Sequence, residues 1–498
     1  MNVSIHGLDR HYEQQITHLA QLFIEEPEIL WGEQEADLHV SFELLSNLKA
    51  RACLRHASLE QPLTTLFSYP EWSMFDRADE QKLMKRVLNF LFVDVMEQWS
   101  GLKQPWGVLT GVRPTKLMHQ MRRAGLNREQ IRKELKDLYR VSEEKVGLLE
   151  RIVERQLAVL PDLDELDRGV SVYIGIPFCP TKCAYCTFPA YAINGKNGSV
   201  EAFLAGLHYE IEATGKWLTD HQIPVTTVYF GGGTPTSITA EQMDALYETL
   251  YDSFPAMNQV RELTVEAGRP DTITPEKIEV LKKWNVDRIS INPQSFENET
   301  LQAIGRHHSV EETIEKYKMA RDLGMENINM DLIIGLPGEG PKEMARSLEE
   351  TKKLMPESLT VHTLSFKRAS TMTKNRDKYK VATRDEIAEM MAMTSSWTED
   401  HEYAPYYLYR QKNILGNLEN VGYALPEKES LYNIVIMEEV QTIIGLGCGA
   451  TSKWVEPGTG NISRHANPKD PRTYNERFKQ YTEEKLDKLN ELFQYATK

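Results

Sequence analysis

The sequence predicts an α/β protein: an incomplete TIM-like (β/α)6 barrel, preceded by an α+β N-terminal domain and followed by a mainly helical C-terminal domain. Three observations carry that expectation. From Val170 onward, short β-branched and aromatic runs alternate with amphipathic helical stretches, which implies a parallel sheet. About six such units follow one another, a number that suits a partial barrel better than a doubly wound sheet. Upstream of them the pattern is short alternating strands and separate helices. The expected boundaries are 1–165, 166–375 and 376–498, and a chain of 498 residues has room for about three domains.

Within the first region, Ala36–Leu44 and Arg51–Ser58 alternate polar and apolar residues as half-buried strands do. Gln81–Gln98 places Leu83, Val87, Phe90, Leu91 and Val95 on one helical face. Pro105–Lys116 (PWGVLTGVRPTK) reads as a loop, followed by helices over Asn127–Tyr139 and Ser142–Leu160. Pro161 stops the second helix, and the acidic stretch after it reads as a linker.

In the central region the strands are expected at Val172–Ile176, Val225–Phe230, Glu262–Glu266, Val286–Asn292, Asn327–Ile334 and Ser358–Phe366. Helix starts are marked by Thr239 with Gln242, by Thr274 before Pro275, and by Ser309 with Glu312. Beyond about residue 380 the pattern turns helical and irregular, with an aromatic run at Tyr403–Tyr409 and a glycine-rich turn at Gly445–Ser452.

Composition narrows the function classes. A formal net charge of −15 argues against nucleic acid as the main partner. No apolar run reaches membrane-spanning length and no signal peptide is visible, so a cytoplasmic protein without a membrane span is expected. Five cysteines, three of them clustered, point to metal or catalysis in a reducing compartment and not to a disulfide framework.

Those three cysteines lie in YIGIPFCPTKCAYCTF, where Cys179, Cys183 and Cys186 form a C-x3-C-x2-C array directly after a strand. Three thiolates this close can converge on one metal centre. A structural zinc site and an iron–sulfur cube each normally take four protein ligands, and Thr187 and Phe188 follow where a fourth would stand. A cube held by three cysteines leaves one iron open to a small molecule; a zinc knuckle or reduced structural cysteines are the alternatives.

Other suggestive groups fall at the ends of the expected strands, where a parallel barrel collects its chemistry. Gly231-Gly232-Gly233-Thr234-Pro235 follows the second strand, Glu266 ends the third, Gln294 follows the fourth, and Asp331 sits in the fifth. Arg306 comes soon after Gln294. Each alone fits a tight turn or a satisfied polar group; together they fall in register. His307 and His308 read as polar surface, because adjacent side chains diverge on a helix.

The ordered set YxxIPFC-x3-C-x-YC, GGGTP, VEA, RIS…QSF, IGR and MDLIIGLP resembles the radical S-adenosylmethionine (SAM) superfamily. Within it, the set resembles the oxygen-independent coproporphyrinogen III oxidase (coproporphyrinogen dehydrogenase) family. PTKCAYCTFPAY, GVRPTK and YYLYRQKN…GNLENVGYA resemble its HemZ-like branch and extend the likeness over most of the chain. The resemblance implies that Cys179, Cys183 and Cys186 hold a [4Fe–4S] cluster whose free iron takes the amino and carboxylate groups of SAM. It implies that Gly232, Gly233 and Thr234 contact the methionyl part, that Glu266, Gln294 and Arg306 fix one or a second SAM, and that Asp331 takes the ribose hydroxyls. Tyr173 matches a catalytic and SAM-contacting tyrosine, and Tyr185 belongs to the cluster signature.

The activity so implied is reductive cleavage of SAM to a 5′-deoxyadenosyl radical that takes hydrogen from a propionate. Loss of carbon dioxide then leaves a vinyl group, and two such events convert coproporphyrinogen III to protoporphyrinogen IX in haem biosynthesis. Implied partners are the tetrapyrrole and a one-electron reductant such as flavodoxin or ferredoxin; a monomer is expected. The chain departs from the family pattern at Gly175, where the oxidase has His, and at Phe188, where it has Cys. Cations that could meet the substrate carboxylates are Arg113, Lys116, Lys367, Arg368, Arg410 and Lys412, each equally a surface cation. Two further readings stand beside this one. One is a haem-binding chaperone of the same fold, whose HNxxYW element is matched here only by the Asn of Tyr432–Met437; the other is radical chemistry on a different tetrapyrrole.

Overall fold

Alternating burial along short strands builds the first of the two units into which the chain divides, Met1–Val153 and Glu154–Lys498. The computed structural model describes residues 1–32, 34–46, 48–73, 75, 79–111, 113–193, 198–366, 370–375, 378–411 and 414–493. The first unit holds β1 (Asn2–His6), β2 (Glu28–Trp31), β3 (Leu38–Ser46), β4 (Lys49–His56) and β5 (Leu63–Ser68), in the order β2-β1-β3-β4-β5. In β4, Ala50, Ala52 and Leu54 are buried while Arg51 and Arg55 face out, the period-2 pattern expected of a sheet covered on one side. Helix Glu80–Ser100 covers β4 and β5 with Leu83, Val87, Leu91 and Val95, and Asp79 caps it by accepting the Lys82 N–H.

Here β3, β4 and that helix stand where the periodicity predicts them, within about two residues. The expected loop gives way at Pro114, the first residue of helix Pro114–Arg123, since a proline there forfeits no helical hydrogen bond. Asn127 caps Arg128–Lys133, which passes into a wider π turn at Glu134–Leu138, and Glu143–Val159 follows.

The second unit is organised by β6 (Val170–Ile176). Its end leads into the cysteine loop, whose two sides are joined by the short parallel pair β7 (Phe178–Cys179) and β8 (Tyr191–Ala192). Next come β9 (Val225–Gly232), β10 (Glu262–Val265), β11 (Arg288–Ser290), β12 (Ile328–Ile334) and β13 (Ser358–Thr363). They pair in parallel with β6 in chain order, so the six predicted strands are all present. Their near-continuous burial fits a sheet covered on both faces. Thr239 with Gln242 forms the reciprocal capping box, while Thr274 and Ser309 accept from Lys277 N–H and Glu312 N–H.

Residues 376–498 supply helices Arg384–Asp400, Leu431–Glu438 and Pro471–Phe493 and also five strands. β14 (Ala404–Tyr409) and β15 (Asn420–Ala424) add antiparallel to β13. At the other edge β16 (Thr442–Gly447) runs parallel to β6, followed by the antiparallel β17 (Thr451–Val455) and β18 (Ile462–Ala466). Among the described residues the sheet thus reaches eleven strands, with no pairing between its two end strands. The glycine-rich turn is the bend between β16 and β17, and Gly447, at φ +86°, lies so near the Gly175 carbonyl that no side chain fits.

The acidic stretch after Pro161 differs from a free linker. It forms a 3-10 turn, Leu163–Arg168, whose Leu163 and Leu166 pack with Leu160, Tyr406, Tyr407 and Ile434. Asp162 pairs with Arg261 through two hydrogen bonds. The apolar i, i+3 pair is masked in the sequence by the acids around it. Helix Val200–Asp220 and the C-terminal helix pack together around the buried Glu210, which accepts hydrogen bonds from Gly447 N, Asn467 Nδ2, Tyr474 OH and Lys485 Nζ.

Candidate active site

At the carboxyl ends of the parallel strands, where their loops leave the sheet, lies a cavity of about 610 Å³. Cys179 reaches it from β7, Cys183 and Cys186 from the loop that follows, and none of the three is in a disulfide. The loop is fastened on several sides: Ala184 N donates to Ile304 O at 2.9 Å and Thr181 Oγ1 to Gly305 O at 3.1 Å. Gly233 N donates to Ile176 O at 2.8 Å and Thr234 N to Phe178 O at 2.8 Å. The Thr234 hydroxyl lies 3.2 Å from Cys179 Sγ. A Cβ on Gly233 would come within 2.6 Å of Phe178 O and 3.0 Å of that sulfur, so glycine here makes the room the thiol occupies.

Burial pushes the Cys179 thiol up to about 11, against the lowering effect of the Thr234 hydroxyl. It carries its proton at neutral pH and would release it on binding metal. Among the described residues no three His, Cys, Asp or Glu side chains crowd around a point fit for a single ion. A cube spreads its thiolates over its corners, and three cysteines outside any disulfide, all lining one cavity, suit it. The donor set fits the cluster.

The polar wall is built from the ends of β9 to β13. Tyr229 OH donates to Glu266 Oε1 at 2.5 Å, and burial, offset in part by that bond, pushes the Glu266 carboxyl to about 7. The Asp331 carboxyl behaves oppositely. Burial pushes it up, but His362, Asn329 and Arg288 outweigh that and hold it below the usual range. Asn292 Nδ2 and Asn329 Nδ2 each donate to it at 2.8 Å, and His362 Nε2 stands 3.5 Å away. Gln294 adopts φ +64°, rare for a side chain of its size, and is bridged to Leu332 of β12. Such strain collects where a side chain must be aimed. Gln294 Oε1, Asn292 Oδ1 and Ser290 Oγ all line the cavity and, though buried, have no hydrogen-bond partner among the described residues. Groups of this kind suit a polar ligand such as SAM. Arg306 donates to Asn292 O at 2.6 Å and to Gly268 O at 3.3 Å.

Aromatic rings also line the cavity. Tyr173 lies near-parallel to Tyr229 and Tyr432, with centroids 6.1 and 6.4 Å away, and Tyr229 stacks on Tyr432 at 4.3 Å. Tyr407 and Tyr409 lie parallel, 6.4 Å apart. The structure gathers every residue of the predicted site on this one cavity: Tyr173, Cys179, Cys183, Tyr185, Cys186, Gly232, Gly233, Thr234, Glu266, Gln294, Arg306 and Asp331.

The candidate cations fare differently. Arg410 is buried off the cavity wall, its guanidinium donating to the Asn417 side chain and to the carbonyls of Asn417 and Leu418. Arg113 and Lys116 belong to the first unit, at the start of helix Pro114–Arg123. Lys367, Arg368 and Lys412 lie outside the described residues. Among the described residues the Arg and Lys side chains that line the cavity are Arg269, Arg288, Arg306 and Lys453, and three of them were passed over in the sequence. Arg288 and Asn292 could have been found from strand alternation around Ser290, whereas Arg269 gave no signal in a Gly-Arg-Pro loop. His307 is exposed as expected, but His308 is 3% exposed, and burial beside Arg306 lowers its pKa to about 3. At Gly175 a Cβ would come within 3.2 Å of Cys448 O, so the approach of the β16–β17 turn accounts for glycine where the oxidase has His. Phe188 is largely exposed at the cavity rim.

Comparison with known proteins agrees with this geometry. The sequence profile of the radical SAM superfamily matches residues 173–351. The chain is 56% identical, over all of both proteins, to the oxygen-independent coproporphyrinogen-III oxidase-like protein HemZ of Bacillus subtilis (strain 168). It is 31% identical to the heme chaperone HemW of the same organism, over 56% of this chain and 70% of that one. The solved structure of coproporphyrinogen III oxidase (HemN) from Escherichia coli, a radical SAM enzyme, superposes with a TM-score of 0.52 at 21% identity. That superposition covers 65% of this chain and 73% of the other, and it bears on the fold. The chain belongs to the radical SAM superfamily and, within it, to the HemZ-type oxygen-independent coproporphyrinogen-III oxidase-like proteins. Its cofactors are those of the superfamily, a [4Fe–4S] cluster and SAM. Among the described residues no helix is long and apolar enough to cross a membrane.

Proposed function

We propose that this protein cleaves SAM at a cluster held by Cys179, Cys183 and Cys186, and oxidatively decarboxylates the propionates of coproporphyrinogen III to give protoporphyrinogen IX. The observation that carries the reading is the convergence of the three cysteines with the predicted SAM contacts on a single cavity at the strand ends. When bound, the cluster supplies the electron that splits SAM into methionine and a 5′-deoxyadenosyl radical. Gly232, Gly233 and Thr234 offer backbone groups to the methionyl part, with no side chain at the glycines to obstruct it. Arg306 supplies positive charge for the SAM carboxylate, and Gln294, held in its strained conformation, a fixed polar contact. Asp331, kept ionised against burial by His362, Asn329 and Arg288, accepts from ribose hydroxyls. Glu266 and Tyr229 share a proton beside the stacked Tyr173 and Tyr432, and the aromatic wall keeps water from the reacting carbon.

Each propionate then gives up one hydrogen atom to the deoxyadenosyl carbon, one electron to an acceptor, and carbon dioxide, and is left as vinyl. A one-electron reductant such as flavodoxin or ferredoxin is the expected electron source. The likeness to the HemZ coproporphyrinogen-III oxidase-like protein supports this substrate class.

The likeness to HemW favours a second reading, a haem-binding chaperone. One experiment separates the two: anaerobically reconstituted protein is given reductant, SAM and coproporphyrinogen III, and products are followed by mass spectrometry. 5′-Deoxyadenosine together with stepwise loss of two carboxyl groups, both abolished by Cys183→Ala, is the expected result. 5′-Deoxyadenosine without decarboxylation moves the radical chemistry to another substrate. Neither product, with tight haem binding, establishes the chaperone.

A further inference from the structure

We infer that Arg269 is a positioning residue for the cluster loop and raises the reduction potential of the cluster through the sulfur of Cys183. The inference rests on the assignment of Cys183 as a cluster ligand. Arg269 is 3% exposed, on the loop that leaves β10. Its Nε and Nη2 donate to Asp271 Oδ1 and Oδ2 at 3.0 and 2.7 Å. Its Nη1 donates to Thr181 Oγ1 at 3.1 Å and Thr181 O at 3.3 Å, and points at Cys183 Sγ from 3.7 Å. The fork is therefore fully engaged by Asp271. Although Arg269 lines the cavity, it has no paired donors left to grip a ligand carboxylate. What it touches is the segment Thr181–Cys183.

This makes the thiols unequal. Cys179 has a neutral hydroxyl beside it, from Thr234, whereas Cys183 faces the guanidinium of Arg269 and the positive charge of Arg306. Asp271 offsets part of the Arg269 charge from the far side of the fork, and His308, next to both, is neutral at working pH. A cationic donor aimed at a coordinated sulfur withdraws charge from it and favours the reduced, more negative cluster. The asymmetry would come from Arg269 being closer to the sulfur than its counter-ion is.

The test is an EPR-monitored redox titration of the full-length, anaerobically reconstituted protein, with iron and sulfide assayed on the same samples. Arg269→Gln should keep its iron and shift to a more negative potential. Asp271→Asn, which leaves the guanidinium and removes its counter-charge, should shift to a more positive one. The sign separates this role from simple loop support, because loosening the loop admits water, which favours the reduced cluster and moves the potential upward. An iron-replete Arg269→Gln protein with an unchanged or raised potential overturns the inference. If that variant assembles no cluster, an unchanged or lowered potential in Asp271→Asn overturns it instead. Wild-type protein that takes up no iron or sulfide would sink the cluster assignment itself, a different failure.

Discussion

Replacing Lys485 by Met should destabilise the second unit by about 3–5 kcal/mol, the cost of leaving a buried charge without its partner. Lys485 is 1% exposed and Glu210 fully buried. Nζ is paired with Glu210 and donates to Gly445 O at 2.9 Å. The carboxylate also accepts from Gly447 N at 2.6 Å, Asn467 Nδ2 at 3.1 Å and Tyr474 OH at 2.6 Å. Methionine fills nearly the volume of lysine, so cavity formation contributes little. The loss lies in the uncompensated carboxylate and the orphaned Gly445 carbonyl. Glu210→Met should cost at least as much, because it strands Gly447 N–H and Tyr474 OH at roughly 1–3 kcal/mol each and leaves the buried Lys485 charge without its counter-charge. Glu210→Gln added to Lys485→Met removes the stranded charge and keeps an acceptor oxygen, so the double variant should recover about 1–3 kcal/mol over the single. Equilibrium urea unfolding followed by far-UV circular dichroism reads all three. A Lys485→Met protein within about 0.5 kcal/mol of wild type, well below the expected cost, or a double variant less stable than the single, would refute the reasoning.

Gly233→Ala should drive a methyl into Phe178 O and Cys179 Sγ, and iron bound per chain after reconstitution should fall to background. Glu266, raised from 4.5 to about 7 in the fold, favours its protonated form there, so its share of stability is full below pH 4.5 and is lost as pH rises through 7. Glu266→Gln should therefore gain on wild type between pH 5 and 8, by about 1–3 kcal/mol once solvent in the cavity is allowed for, as melting curves across that range will show. Gln294→Gly relieves a left-handed conformation and should leave stability within about 1 kcal/mol of wild type or above it. The same variant should weaken SAM binding about tenfold in calorimetry, a loss of ~1.4 kcal/mol. Chelating the iron should leave the far-UV spectrum unchanged, because the loop is tied by protein bonds at Thr181, Ala184 and Thr234.

The elements that could be read in advance are those whose cause is local. The strands from β6 to β13 in the main sheet are short apolar runs, and after β9 and β10 a proline and a capping threonine lie within about a dozen residues of the strand end. The site was legible for the same reason: Glu266 and Gln294 follow strand ends and Asp331 lies within β12, and parallel pairing sets these neighbouring strands side by side. β15 and β16 are different. They contain Gly422, Gly445 and Gly447 and have weak strand propensity; pairing with β13 and β6, far away in the chain, makes them strands. Arg269 was hidden because its meaning depends on Thr181 and Cys183, and the burial of His308 on its neighbours Arg269 and Asp271, all of which come near only in the folded unit.

The position of β6 between β9 and β16 also sets a timetable for synthesis. Val170 pairs with Thr442, roughly 270 residues later, which at 5–20 residues per second is on the order of 15–50 s of translation. During that interval β6 can join β9 but keeps one bare edge, the kind of edge that recruits other strands. The cysteine loop hangs from this half-finished strand, and the turn that packs against Gly175 has not yet been made. Cluster insertion on the nascent chain would meet an open, unsupported loop, so metal loading is best timed after release from the ribosome.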